Sequence, residues 1–279
     1  MVFCFRVDID SAYGMRNGVP NILELLRKLD MQASFFVVMG GETGLFEFLS
    51  GGQRATSGAA GVKLPALEMA RILAMPYNFA VKHVETLHAA VKDGHEVGPH
   101  GWKHREWTRS LDAIDVDSRF TQITALYRDQ LFGTTPASFT APGFKTNAAV
   151  LNALDKFSYA AAGDLDGVEP FRPVVGETKY RHVQVPVTLK DKQTRPLIEG
   201  LHFDGYSDDA IVKTITSEIT RQEKENGFSC FYCHDVFEGI TKLNLLKDVL
   251  TFVKLEGIET ATVQQVARKC SVYKKVNLV

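Results

Sequence analysis

The sequence predicts an α/β fold: a single-domain, TIM-like barrel of about seven strand–helix units. Three observations lead there. Short apolar runs alternate with longer stretches of helical periodicity. The helical stretches are punctuated by glycine stops and capping residues. A chain of 279 residues with 45% hydrophobic content suits one α/β barrel without division into smaller domains. Strand–helix alternation of this kind makes a parallel sheet covered by helices, and its reactive residues belong where strands end and the following loops begin.

The elements follow in order. Residues 2–9 are an apolar strand. Residues 20–30 have helical periodicity, with Ile22, Leu25, Leu26 and Leu29 on one face. Residues 33–39 are rich in strand formers. Residues 40–76 break the rhythm: paired glycines surround Phe46, Phe48 and Leu49, and a stretch this long reads as an insertion over the barrel mouth or, equally, as a passive surface excursion. A helix over 77–93 stops at Gly94, and 95–99 is a short strand. A helix over 112–132 ends at Gly133, and 137–141 is a strand. Thr146 caps a helix reaching residue 156. Strands at 159–162 and 183–189 follow. An amphipathic helix over 207–226 stops at Gly227, a strand fills 228–233, and a helix over 243–255 precedes Gly257. A last helix begins near Thr262.

Composition excludes several classes. The formal net charge is −1 and no stripe of Lys and Arg stands out, so nucleic acid is not an expected partner. No run of about 18 apolar residues exists, so no transmembrane segment is expected. The first residues lack the pattern of a signal peptide, so a cytoplasmic protein is expected. Four cysteines in a chain this long do not suggest a disulfide scaffold. Cys230 and Cys233 form a C-x-x-C, but three residues apart on a strand they point to opposite faces and read as small core residues. Nothing sets the oligomeric state; a homo-oligomer is compatible with the sequence.

Three fragments that carry chemistry sit at expected strand ends: Asp8-Ile9-Asp10, His100-Gly101-Trp102-Lys103-His104, and His234-Asp235. H-x-x-x-H or D-x-D alone arises readily by chance, and a single histidine after a strand is more often structural. Their joint placement points to a site. Zn²⁺ and its neighbours accept imidazole nitrogen and carboxylate oxygen, and a catalytic site keeps a position for water. One helical turn would aim His100 and His104 at one point. Either Asp8 or Asp10 completes the set, and the other stands beside the water as a base. His234, on a separate strand, is the natural acid for a leaving amine. This arrangement suits hydrolysis of an amide. His83, His88, His95, His182 and His202 have no such placement.

Taken together, the early Asp pair, H-x-x-x-H after a strand, Thr140-Ala141-Pro142-Gly143-Phe144 and a late strand ending in His resemble the polysaccharide deacetylases, carbohydrate esterase family four. The resemblance spans Asp8 to His234. It implies a distorted (β/α)7 TIM-like barrel. It also implies one divalent metal ion, Zn or alternatively Co, Mn, Ni or Fe, held by Asp10, His100 and His104, with Asp8 as catalytic base and His234 as catalytic acid. Pro142, Gly143 and Phe144 border the substrate groove, and an N–H of Gly143 or Phe144 faces the oxyanion. Many members of the family have two adjacent acids where Ile9 intervenes here, and an Arg where Thr140 stands; Arg172 is the candidate to replace that Arg beside Asp8. Asp164 and Asp235 are candidate orienting residues.

Residues 8–20, 170–173 and 184–189 are similar to a branch of deformylases acting on a lipid-linked amino sugar at the inner face of the membrane. That implies an amino-sugar substrate and peripheral membrane contact through residues 40–76. Two alternatives are a hydrolase of the same fold acting on a cyclic ureide or small N-acyl amine, and a non-catalytic glycan binder.

Overall fold

The computed structural model describes residues 2–42 and 64–278. Seven parallel strands form the expected barrel: β1 (Val2–Ile9), β2 (Ser34–Val37), β3 (Glu96–Pro99), β4 (Ser138–Phe139), β5 (Ala161–Ala162), β8 (Val183–Gln184) and β9 (Phe228–His234). Strands β9, β1, β2 and β3 are neighbours in one sheet, and β4, β5 and β8 in another. Two seams join them. The Thr140 N–H donates to the Pro99 carbonyl at 3.1 Å, and the N–H groups of Thr188 and Leu189 donate to the Cys230 carbonyl at 3.1 and 3.0 Å. These thin seams and the two-residue strands distort the barrel.

The remaining strands lie outside it. Strand β10 (Glu259–Ala261) pairs with the start of β1. Strand β6 (Arg172–Val175) pairs with β7 (Thr178–Lys179) and β11 (Tyr273–Lys275) in a small side sheet. The sequence gives no clear sign of this sheet, because its strands are short and largely exposed.

Side-chain alternation in β1 divides the core in two. Phe3, Phe5, Val7 and Ile9 face outward into the layer beneath the helices. Cys4 faces inward with Phe36, Val183, Val185, Cys230 and Tyr232. Arg6 and Asp8 share that inward parity, and both are buried. Cys230 and Cys233 are free thiols in different layers, as strand geometry requires.

Tertiary contacts move several boundaries. The first helix is Ala12–Leu29, capped by Ser11, and Pro20 lies inside it rather than at its start. Its first turns bury Ala12, Met15 and Val19 in step with Ile22, and they also carry Gly14 and Gly18, which are reserved for close packing. A Cβ at Gly14 would lie 2.0 Å from Asp235 Oδ2, and one at Gly18 1.7 Å from the Asp235 carbonyl oxygen. Asn147, not Thr146, caps the helix Ala148–Lys156. Helices His104–Ser110 and Leu197–Phe203 were not anticipated. Most of the 40–76 stretch lies outside the described residues. Within its described part, the helix Ala66–Ala74 buries no residue and is tied to the first helix by Glu68 and Arg16 at 2.8 Å. Leu67 and Met75 are 85% and 72% exposed there.

Gly18→Ala is expected to lose about 1–3 kcal/mol, the usual range for overpacking. Thermal denaturation checks this, at roughly 2–4 °C per kcal/mol for a chain of this size. An unchanged Tm would show that the first helix does not need to approach Asp235 so closely.

Candidate active site and metal centre

The site lies at the C-terminal ends of the barrel strands. Strand β1 delivers Asp8, in register with His234 on β9. The chain then turns, and Asp235 fixes that turn. Asp235 Oδ2 accepts from the N–H of Asp10 at 3.2 Å and from the N–H and hydroxyl of Ser11, each at 3.1 Å. The Ser11 hydroxyl in turn accepts from the Gly14 N–H and caps the helix. Asp235 thus positions Asp10 through the backbone. Burial, reinforced by the Asp10 charge, raises its pKa to about 7, against the opposing effects of His234 and Ser11.

His100 follows β3, and its N–H donates to the Val37 carbonyl at 2.8 Å. The next residue, Gly101, has φ +64, and a Cβ there would lie 2.8 Å from Pro142 Cδ. His100 and His104 therefore do not share one helical turn: the chain bends at Gly101, and the helix begins at His104. They converge nonetheless. His100 Nε2 is 3.6 Å from Asp10 Oδ1, and His104 Nε2 is 3.8 Å from Asp10 Oδ2. His100 Nδ1 lies 2.7 Å from the Thr140 hydroxyl and 3.1 Å from its carbonyl oxygen. A proton on Nδ1 satisfies that carbonyl and leaves the Nε2 lone pair facing Asp10. Burial holds the His100 pKa well below the ordinary imidazole range, with Asp10 opposing, so the ring is neutral as a metal ligand must be.

These three residues fit a divalent cation. Both Asp10 carboxylate oxygens are buried without a hydrogen-bond donor. An uncompensated charge in such a place is strongly destabilising unless a proton or cation answers it. Ligand atoms of Asp10, His100 and His104 all lie within 4.8 Å of one another. Ligand atoms sharing a tetrahedral Zn²⁺ would be roughly 3.3 Å apart. A set of two nitrogens and one oxygen suits Zn²⁺ or a neighbouring first-row ion.

Asp8 is placed differently. Arg6 Nε donates to its Oδ1 and Arg6 Nη2 to its Oδ2, both at 2.7 Å. Arg6 is 1% exposed, and its Nη1 donates to the Gly163 carbonyl at 2.8 Å. The rings of Phe36, Phe144 and Tyr232 surround the guanidinium, with centroids 5.0–5.7 Å away. Arg6, not Arg172, therefore holds Asp8. Arg172 lies in β6, paired with β11, and lines a surface cavity with Arg181 and Arg268. The sequence contained a signal for Arg6: an arginine inside an apolar strand, two residues before an aspartate and hence on the same face.

Pro142 is buried, while Gly143 and Phe144 have φ of +61 and +56. The Phe144 N–H donates to the Ala141 carbonyl at 3.1 Å and is thereby engaged within the segment. Asp164 Oδ1 accepts from the Ala141 N–H at 2.6 Å and so steadies the Thr140–Phe144 segment rather than a catalytic side chain. Burial raises its pKa to about 7, with the Ala141 hydrogen bond and the Arg6 charge opposing.

His234 faces Asp10 across the site, with Nε2 3.9 Å from Asp10 Oδ2. Its Nδ1 is 3.1 Å from Glu199 Oε2, and its backbone N–H donates to Glu238 Oε2 at 2.9 Å. Both glutamates are fully buried, and sequence reasoning missed both. Burial lowers the His234 pKa, but the Glu199 hydrogen bond and the charges of Asp10, Glu199 and Glu238 outweigh it and raise the value to about 10. The imidazole is therefore protonated at neutral pH and able to donate.

The chain is similar to several known proteins. Residues 8–162 match the family described as polysaccharide deacetylase. The chain is 25% identical over 265 residues to a 4-deoxy-4-formamido-L-arabinose-phosphoundecaprenol deformylase of Shewanella sediminis, covering 91% of this chain and 82% of that one. It is 26% identical to the protein of the same description from Wigglesworthia glossinidia brevipalpis, covering 88% and 85%. A polysaccharide deacetylase structure from Mycobacterium smegmatis shares the fold, with a TM-score of 0.70 at 18% identity, covering 100% of this chain and 94% of that one.

Removing the Glu199 charge must lower the pH at which His234 loses its proton. A hydrogen bond to a charged group is worth roughly 1.5–3 kcal/mol, or about one to two pH units. NMR titration of the His234 ring in Glu199→Gln is expected to show a midpoint below about 10 by that amount. An unmoved midpoint would remove Glu199 as the source of the shift.

Proposed function

This chain belongs to the polysaccharide deacetylase family and is an amide hydrolase that removes an N-acyl group from an amino sugar; we propose that the acyl group is formyl or acetyl and that the sugar is carried on a lipid phosphate. The observation that carries the reading is Asp10, buried without a donor and facing His100 and His104, with Asp8 and His234 on either side. The named activity of the Shewanella and Wigglesworthia relatives supports a lipid-linked formamido sugar. The exposed Leu67 and Met75 beyond the end of β2 support contact with a membrane surface, and among the described residues no helix is long and apolar enough to cross one. A site at the inner face of the membrane is part of the same proposal.

Asp10, His100 and His104 would hold the divalent ion, Zn or a neighbouring first-row ion by the donor set. When bound, the ion supplies Lewis acidity, polarising the acyl carbonyl and making water more acidic. Asp8 takes the proton of the attacking water on a lone pair that Arg6 leaves free, and the Arg6 clamp fixes the direction of that lone pair. The Gly143 N–H faces the oxygen that gains charge. As the carbon–nitrogen bond breaks, protonated His234 donates to the departing nitrogen. The products are the free amino sugar and formate or acetate.

Metal analysis of the purified chain, followed by assay of released formate and acetate on matched formamido- and acetamido-sugar lipids, tests the proposal. His100→Ala is expected to lose most of its bound metal; full metal content in that variant would refute the ligand set. Asp8→Asn is expected to keep its metal while turnover falls roughly 10²–10⁴-fold. Parental turnover in Asp8→Asn across pH 6–9 would exclude Asp8 as the base.

A further inference from the structure

A second cavity opens on the same face, beyond Phe144. It has a volume of about 460 Å³ and is lined by Lys145, Thr146, Asp164, Lys274 and Lys275, with Phe144 as one wall. Two of its lining residues carry a buried polar atom without a hydrogen-bond partner, Thr146 Oγ1 and Asp164 Oδ2. Asp164 is 4% exposed, and its other oxygen is already engaged by the Ala141 N–H. Buried polar groups are ordinarily satisfied, and the protein leaves these two, beside one cavity, unmet. Thr146 is not used as a cap, because Asn147 caps the following helix.

The surrounding charge selects the ligand. Lys145, Lys274 and Lys275 all line the cavity, and among the described residues none is ion-paired, although Lys274 and Lys275 are neighbours on β11 and send their side chains to opposite sides of it. The Lys274 ammonium lies over the Phe171 ring at 4.9 Å. The opposing acids are Asp164 and Asp166, and Asp166 is neutralised by Lys190 at 2.6 Å. The frame is fixed: the Trp107 indole N–H donates to the Lys145 carbonyl at 2.8 Å, and the Val276 N–H donates to the Val174 carbonyl at 3.0 Å. Phe144 links the cavity to the catalytic centre, since its ring also lies 5.0 Å from the Arg6 guanidinium that clamps Asp8.

We propose that this cavity is the subsite for the phosphate of a glycosyl phosphate, with Lys145 and Lys275 on the phosphate oxygens and the sugar reaching past Phe144 to place its amide at Asp8, Asp10 and His234. The proposal rests on the amino-sugar reading above and deepens it: the anion is recognised on the sugar itself, away from the amide.

The test uses the metal-loaded chain and two substrates, an N-formyl amino-sugar methyl phosphodiester and the matching methyl glycoside without phosphate. The parent is expected to favour the phosphodiester in kcat/KM by roughly tenfold or more, and Lys145→Gln or Lys275→Gln to reduce that ratio several-fold. A ratio that is the same in parent and variants overturns the subsite even if both substrates are hydrolysed. If neither is hydrolysed, the amino-sugar reading fails, and calorimetry with an amino-sugar methyl phosphate still decides the subsite. Affinity that drops in both variants supports it, and equal affinity overturns it. Two further arms separate the sources of phosphate. Inorganic phosphate binding as tightly as the sugar phosphate would make the occupant a free anion. Loss of cosedimentation with phosphatidylglycerol vesicles, with sugar-phosphate affinity unchanged, would make the lysines a membrane contact. Either result overturns the assignment.

Discussion

The site depends on a difference between two carboxylates on one short stretch of chain. Asp8 and Asp10 are both buried and stand two residues apart, yet Asp8 has a guanidinium on both oxygens and Asp10 has no donor on either. That contrast assigns their roles. A carboxylate with its charge already answered by Arg6 has little to offer a metal ion and is free to exchange protons. A carboxylate with no hydrogen-bond donor on either oxygen, facing two imidazole nitrogens, is a cation ligand in waiting. Adjacent positions in a sequence cannot make this distinction; the barrel interior makes it by placing Arg6 on the same inward face as Asp8.

Burying an arginine in a barrel is expensive, and a buried ion pair is weak evidence of stability, since well-packed apolar residues often serve as well. The surroundings of Arg6 reflect that cost. Two of its nitrogens meet Asp8, a third meets the Gly163 carbonyl, and three aromatic rings enclose the plane. The arrangement makes sense as a device for holding Asp8. It also accounts for Thr140, which stands where the resembled family commonly has its arginine: with Asp8 already clamped from below, that position is free to orient His100.

The barrel was legible in the sequence because its signals are local. Short apolar runs, glycine stops such as Gly227 and caps such as Thr262 lie within a few residues of the elements they define. The strand-end fragments were legible for the same reason. What escaped depends on contacts between distant segments. Gly14 and Gly18 look like helix breakers until Asp235 is seen packed against them. The bend at Gly101 separates two histidines whose spacing suggests one helical turn, and the convergence on Asp10 survives because the loop and the helix start aim them together. Glu199 and Glu238 carry no periodic or motif signal; only the fold brings both to His234. By sequence alone Arg172 is a reasonable partner for Asp8, because only the fold shows that β6 lies outside the barrel.

The charges around the site then follow one pattern. Asp8 is balanced by Arg6, and His234 by Glu199. Three further buried carboxyls are driven toward their protonated forms chiefly by burial, Asp164 and Asp235 to about 7 and Glu238 to about 8. Their neighbours supply hydrogen bonds but too little positive charge to keep them fully ionised near neutral pH. Asp10 differs in having no hydrogen-bond donor on either oxygen. His234, at 3.9 Å, answers it only from a distance while bound to Glu199. A divalent ion at Asp10, His100 and His104 would therefore complete the electrostatics of the barrel mouth as well as its chemistry. By drawing on the Asp10 charge it would weaken one of the influences that raise the His234 pKa, bringing the acid closer to the pH at which it has to give up a proton.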